Sequence, residues 1–309
     1  GSPATTIPHG GESGPILPTK LQGQDYYVEA AFENEKPYIG QQTNYIFRFY
    51  RAIRLLGQPT YDAPDFTGFW TTSQTDQRTY DTQASGRLYR VTELRTILFP
   101  TVIGPASIGA ATIKVPRGVF QAGMTLRTKP IYLEIQPLPG GAPHLFAGSV
   151  GRFSIDANID VNSGFVGDPI VLTVTISGTG NIENLSDPPW PDMPGWRVFD
   201  STATVNVSVD SGEISGNRIY ERVLVPSSAG VSDIPPIVYV YFDPSTDQYS
   251  TVSTESISIS IGESRDGGNG LNRADKTAII ERLSTDIRHL KPIPERLDKR
   301  GDDLTGKTA

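Results

Sequence analysis

The chain holds few residues able to carry reactive chemistry. Nucleophilic catalysis by serine needs a histidine base and an orienting carboxylate brought together, and the sequence has three histidines, His9, His144 and His289. The first lies in a turn-rich opening stretch, the second in a Pro/Gly-rich link, and the third on a terminal apolar-periodic segment. None stands beside a Gly-x-Ser-x-Gly elbow, so no catalytic residue is assigned. The absence of cysteine removes disulfides, zinc-cysteine sites and a thiol nucleophile. Asp156, Asn158, Asp160 and Asn162 imitate the start of a calcium loop, but Val161 stands where that loop needs glycine and no glutamate closes it. Their alternation with apolar residues reads better as the wet side of a strand. Gly178-Thr179-Gly180 is followed by Asp187-Pro188-Pro189 rather than by a helix, so a strand-end turn is expected there rather than a phosphate loop. Thirty-four acidic residues produce many accidental carboxylate pairs, and no motif singles one out. No metal and no cofactor is expected.

Aromatic and apolar surfaces are the remaining candidates. Trp70 and Trp196 occupy similar places in an internal repeat and read as core filler. Trp190, in Pro188-Pro189-Trp190-Pro191, has no counterpart and is open to two readings: filler, or a platform for a sugar or a Pro-rich partner. Ile280, Leu283, Ile287 and Leu290 recur at helical spacing after Asn272 and before Pro292. That stripe either packs on its own domain or faces another chain. Candidate partner-contacting residues are therefore His144, Phe146, Val150, Trp190, Ile280, Leu283, Ile287 and Leu290.

The elements that position these residues are strands. Phe153–Val161, Val205–Val209 and Ile257–Ile261 alternate apolar and polar residues at period 2, the pattern of a sheet with one buried and one solvated face. Gly and Pro supply 56 of 309 residues, so turns are frequent. Tyr45, Phe47 and Phe49 after Gly40 reappear 127 residues later as Leu172, Val174 and Ile176 after Gly167. Gly68 maps onto Gly195 at the same offset, while Pro100, Gly104 and Ile108 map onto Pro226, Gly230 and Ile234 at 126. The repeat predicts two homologous β-sandwiches, with Gly40 and Gly167 in matching turns at positive φ. Expected boundaries are a flexible lead-in at 1–24, a first sandwich at 25–136, a link at 137–151, a second sandwich at 152–262, and a flexible link plus short C-terminal helix at 263–309. The fold class is all-β: two tandem immunoglobulin-like sandwiches with that helix.

A net charge of −7 gives phosphate-tracking nucleic-acid binding no electrostatic basis. No run approaches the ~18 apolar residues of a membrane helix. Gly1-Ser2-Pro3 looks like the remnant of a removed tag, so a signal or anchor is not excluded by the sequence.

Several segments, in order and spacing, resemble the BatD family, the Bacteroides aerotolerance or oxygen-tolerance proteins. They are Tyr38-Ile39-Gly40-Gln41-Gln42, Pro137-Leu138-Pro139 with Phe146–Phe153, Tyr241-Phe242-Asp243-Pro244 with Tyr249, and Asp286–Pro292. The likeness spans residues 26–292. It implies immunoglobulin-like sandwiches exported to the bacterial envelope, periplasmic or extracytoplasmic. It further implies tethering to the cytoplasmic membrane by a helix following Pro292. Implied partners are von Willebrand factor A domain (Bat-type) membrane proteins and, indirectly, MoxR AAA+ ATPases. The function expected is a non-enzymatic interaction protein, the alternative a carbohydrate- or peptidoglycan-binding module.

Overall fold

A computed structural model describes residues 21–264, apart from 22, 85 and 118–122. The expected C-terminal helix, with Ile280, Leu283, Ile287 and Leu290, lies outside the described residues, as do His9 and His289. No described helix is long and apolar enough to cross a membrane.

Strands dominate, as the period-2 patterns predict. The first unit contains β1 (Tyr26–Phe32), β2 (Thr43–Arg51), β3 (Thr60–Asp62), β4 (Phe69–Ala84), β5 (Arg87–Pro100), β6 (Gly104–Ile108), β7 (Thr112–Val115), β8 (Met124–Arg127) and β9 (Ile131–Ile135). They pair as β1-β2-β5-β4, β3-β7-β8 and β6-β9. Tyr45, Phe47 and Phe49 project from β2 into a core shared with Leu98, Ile113 and Ile135. The second unit contains β10 (Phe146–Ile159), β11 (Ser163–Phe165), β12 (Ile170–Gly180), β13 (Trp196–Val198), β14 (Thr202–Asp210), β15 (Glu213–Pro226), β16 (Gly230–Ile234), β17 (Val238–Asp243), β18 (Gln248–Ser253) and β19 (Ile257–Gly262). A 3-10 turn at Ile182–Asn184 is the single helical element among the described residues. Here the order is β13-β15-β12-β10-β17-β18, with β14 also on β15, and β11-β19-β16. Leu172, Val174 and Ile176 fill the core as their repeat counterparts do.

The duplication extends to single hydrogen bonds. Gly40 N–H donates to Pro100 O at 2.9 Å, and Gly167 N–H to Pro226 O at 3.1 Å. Thr101 N–H donates to Gly68 O, and Ser227 N–H to Gly195 O. Thr128 Oγ1 accepts from Ala111 N–H as Thr254 Oγ1 accepts from Ile237 N–H. Gly40 and Gly167 both adopt positive φ, +76° and +85°, and Gly68 and Gly195 follow at +87° and +85°. These are left-handed conformations that a Cβ disfavours, so each turn glycine is required twice.

Four expectations change. β10 opens at Phe146, inside the stretch read as link, because Phe146–Val150 pairs in parallel with β17. That places it beside β17 where β3 lies beside β7 in the first unit. Past Val150 the same strand pairs antiparallel with β12. Leu21, in the expected lead-in, is 1% exposed, and Tyr89 Oη donates to its carbonyl at 2.6 Å. Gly178 and Gly180 end β12 rather than forming a turn: a Cβ on Gly178 would lie 2.0 Å from Arg152 O, so glycine admits the close crossing of β10. Finally, Trp196 pairs opposite Pro226 as Phe69 pairs opposite Pro100. Its counterpart is therefore Phe69, and Trp70 faces the other way.

Candidate functional site

Trp70 faces outward at the junction of the two units. In β5, Leu94 and Leu98 face the core of the first sandwich, while Ile97 and Phe99 point out through the opposite face. Trp70 lies against Phe99 with ring centroids 5.5 Å apart. An outer sheet face this apolar demands a cover. The β14–β15 hairpin supplies it: Ile214 and the row Val205, Val207, Val209 share one continuous apolar cluster with Ile97, Phe99 and Trp70. Trp70 is filler, as its type suggested, but it fills the joint between units.

Polar groups fix the register of that contact. The Gln42 amide bridges the units in both directions, Nε2 donating to Gly212 O at 2.6 Å and Oε1 accepting from Ile214 N–H at 3.0 Å. Arg95 Nη1 donates to Ser211 O at 2.8 Å. Arg95 Nε is held in turn by Glu93, which also accepts from Arg48 Nε at 2.7 Å. Glu93 is 3% exposed. Burial pushes its carboxyl pKa up, but the hydrogen bonds and charges of Arg48 and Arg95 outweigh that and hold it below the usual value. A second set of contacts closes the other side. Tyr38 meets Phe242 edge-on at 4.9 Å, Phe242 meets Tyr249 at 5.3 Å, and Tyr249 meets Phe146 at 4.9 Å. Tyr249 Oη donates to Pro139 O in the link.

Between these two seams runs a groove of about 600 Å3. Glu33, Asp210, Glu213 and Asp243 line it together with Arg152 and Asn44. Its carboxylates are dispersed: among the described residues no group of three or more His, Asp or Glu could hold a metal ion. Asp156 and Asn158 sit on the wet side of β10 and bond to each other, and Asp160, just past its end, accepts from Val171 N–H.

The sequence-derived contact residues divide into separate environments. His144 is exposed in the link. Phe146 is half-buried against Tyr249, and Val150 is 5% exposed, packed beneath Gly40. Val150 therefore belongs to the joint and not to an open surface. Trp190 lies elsewhere, half-buried on the second core, its ring edge-on to Tyr220 at 6.1 Å. The Arg222 guanidinium lies 4.2 Å from the centre of its ring, so a cation occupies one face of the indole. Composition and periodicity did not single out Gln42, Arg95, Arg218 or Arg222. Gln42 was visible only as part of the motif Tyr38–Gln42, and the arginines carried no motif.

A family model described as "BatD DUF11 like domain" matches residues 157–261. No curated protein matches the chain. Among solved structures, the chain is similar to the C-terminal domain of the Streptococcus agalactiae AgI/II polypeptide BspA, at 10% identity over 76% of this chain and 100% of that one, with a TM-score of 0.20. It is also similar to the Yersinia pseudotuberculosis adhesin InvE, at 13% identity over 77% and 58%, TM-score 0.23. A third is the type II cohesin dyad of the Acetivibrio cellulolyticus scaffoldin ScaA, at 9% identity over 75% and 98%, TM-score 0.14. The fold rests on the strand pairing and not on these three likenesses. The matched residues run from the C-terminal end of β10 into β19, so it is the second sandwich that matches the BatD family's domain.

Proposed function

We propose that the protein is a non-enzymatic interaction module of the bacterial envelope, anchored to the cytoplasmic membrane beyond Pro292. In this reading it presents its joined sandwiches to a von Willebrand factor A domain protein of a Bat/MoxR-type system. The BatD domain over residues 157–261 carries the proposal. The joint supports it: a shared apolar cluster, side-chain bridges and an aromatic seam hold two sheets at a set angle. A surface composed from both units needs such fixing, because each freely moving part would lose entropy on binding. The residues quoted for the family resemblance converge on the same place. Tyr38, Gly40, Gln42, Val150, Phe242 and Tyr249 all belong to the joint or its rim.

The test is a pull-down in which the immobilised 309-residue chain is offered purified von Willebrand factor A domain partners. Enrichment over an unrelated β-sandwich supports the reading, and equal recovery on both overturns it. The alternative, a carbohydrate-binding module built on Trp190, loses ground because Arg222 covers one face of the indole ring.

A further inference from the structure

Register comparison between the repeats isolates what the second sandwich carries that its fold does not require. Leu98 pairs with Thr43, and Leu224 with Ile170 in the same register. Counting back along β5 and β15, Leu94 matches Tyr220, Thr96 matches Arg222 and Thr92 matches Arg218. A threonine thus suffices at both arginine positions to build this sheet. Arg218 and Arg222 nonetheless point to the same side as Tyr220 and Leu224, towards the loop that bears Trp190.

The two arginines differ in how they are used. Arg218 Nη1 donates to Glu183 O at 3.1 Å, and its Nη2 lies 3.8 Å from Asp187. The Arg222 side chain has no hydrogen bond or ion pair among the described residues, and its Nε, like that of Arg218, is buried with no acceptor. Asp187 and Asp200 influence it only through space. The guanidinium carbon lies 4.2 Å from the centre of the Trp190 ring, and an arginine guanidinium offers a carboxylate two N–H donors in one plane. The charge of Arg222 is complementary to an acidic group, and the described residues place none within ion-pair distance of it.

We propose that Trp190 and Arg222 form a docking point for a carboxylate on an acidic segment of a partner polypeptide. A singly charged carboxylate suits the spot better than a phosphate dianion, because Asp187 and Asp200 stand close by. The inference rests on the interaction reading above and narrows it to one spot and one chemistry.

The test follows the three tryptophan indole N–H signals by NMR while the full chain is titrated with acetyl-tetraglutamate amide. Acetyl-tetraglutamine amide and inorganic phosphate serve as the other arms. The expected result is a saturating shift of the Trp190 signal with tetraglutamate alone. In Arg222→Thr, which installs the first repeat's residue, binding weakens at least tenfold while the Trp70 and Trp196 signals stay in place. If those two signals move, Trp190→Phe read on β15 amides replaces it, with binding weakened about threefold. An equal response to tetraglutamine, tighter binding of phosphate, or unchanged affinity in the deciding variant overturns the site. Because the pull-down uses a whole partner domain, its success alongside a failed titration would remove this docking point and leave the broader function standing.

Discussion

Glu93 shows how one residue secures a surface. It is buried, carries a full charge, and has two arginines and the Tyr80 hydroxyl around it. Removing one partner of a buried ion pair leaves the others uncompensated, which costs several kcal/mol where a hydrophobic swap would not. Glu93→Ala should therefore lower unfolding free energy by about 3 kcal/mol, measured by urea denaturation at pH 7. The acid dependence has a definite sign. Since the folded carboxyl titrates below its ordinary 4.5, the stability it contributes is complete above that pH and is lost as pH falls through the lowered value. Glu93→Gln should flatten the acid limb of the stability curve, and an unchanged limb would contradict the assignment.

The turn glycines belong to the same scale. Gly167 has nothing within 4 Å of a would-be Cβ, so Gly167→Val reports backbone strain alone, about 1–2 kcal/mol. At Gly40 the new Cβ would meet Val150 Cγ2 at 3.2 Å, and Gly40→Val should cost more than its twin. Thermal midpoints of the two variants check that order.

At the scale of elements, the β14–β15 hairpin does two tasks with one strand pair. Near β12 it completes the second sheet, and at its tip it grips the first unit. The tip must be tight: Ser211 and Gly212 both adopt positive φ, and a Cβ on Gly212 would stand 3.1 Å from Arg95 Cδ and 3.3 Å from Asn44 Nδ2. Gly212→Val should disturb the joint while leaving the two cores intact. Amide signals of Gln42, Arg95 and Ile214 would shift broadly, and those of β18 and β19 would not. β14 is also a nine-residue edge strand without charge before Asp210. Edges of this kind invite pairing with other chains, so Thr204→Lys, on the exposed face of the strand, should reduce any self-association seen by ultracentrifugation.

Legibility in the sequence follows these same elements. The alternating runs that became β10, β14 and β19 could be read because a half-buried strand must have period 2. The duplication could be read because turn glycines tolerate few replacements and core positions stay apolar, Tyr45, Phe47 and Phe49 answering to Leu172, Val174 and Ile176. What stayed hidden was direction across a shared sheet. In Trp70, Ile97 and Phe99 the apolar residues facing the second unit look like those facing the first core. A side chain such as Gln42, which pairs with residues 170 and 172 positions away, leaves no local pattern at all. Trp196 was matched to Trp70 by residue type, whereas pairing to Pro226 and Pro100 equates it with Phe69.

On the scale of the whole molecule, the joint makes two duplicated folds into one object. Gln42→Ala removes both amide bridges and leaves the Ile214 N–H without its acceptor, a loss of about 1–3 kcal/mol. Calorimetry should give a single transition for the parent chain and a broadened or split one for Gln42→Ala combined with Trp70→Ala. The proposed recognition of a partner by surface shape depends on that unity. Residual dipolar couplings collected from residues 26–135 and 146–262 measure it directly. A single alignment tensor should fit both sets if the joint is rigid, and two tensors of clearly different magnitude, the mark of independently moving sandwiches, would rule a rigid joint out.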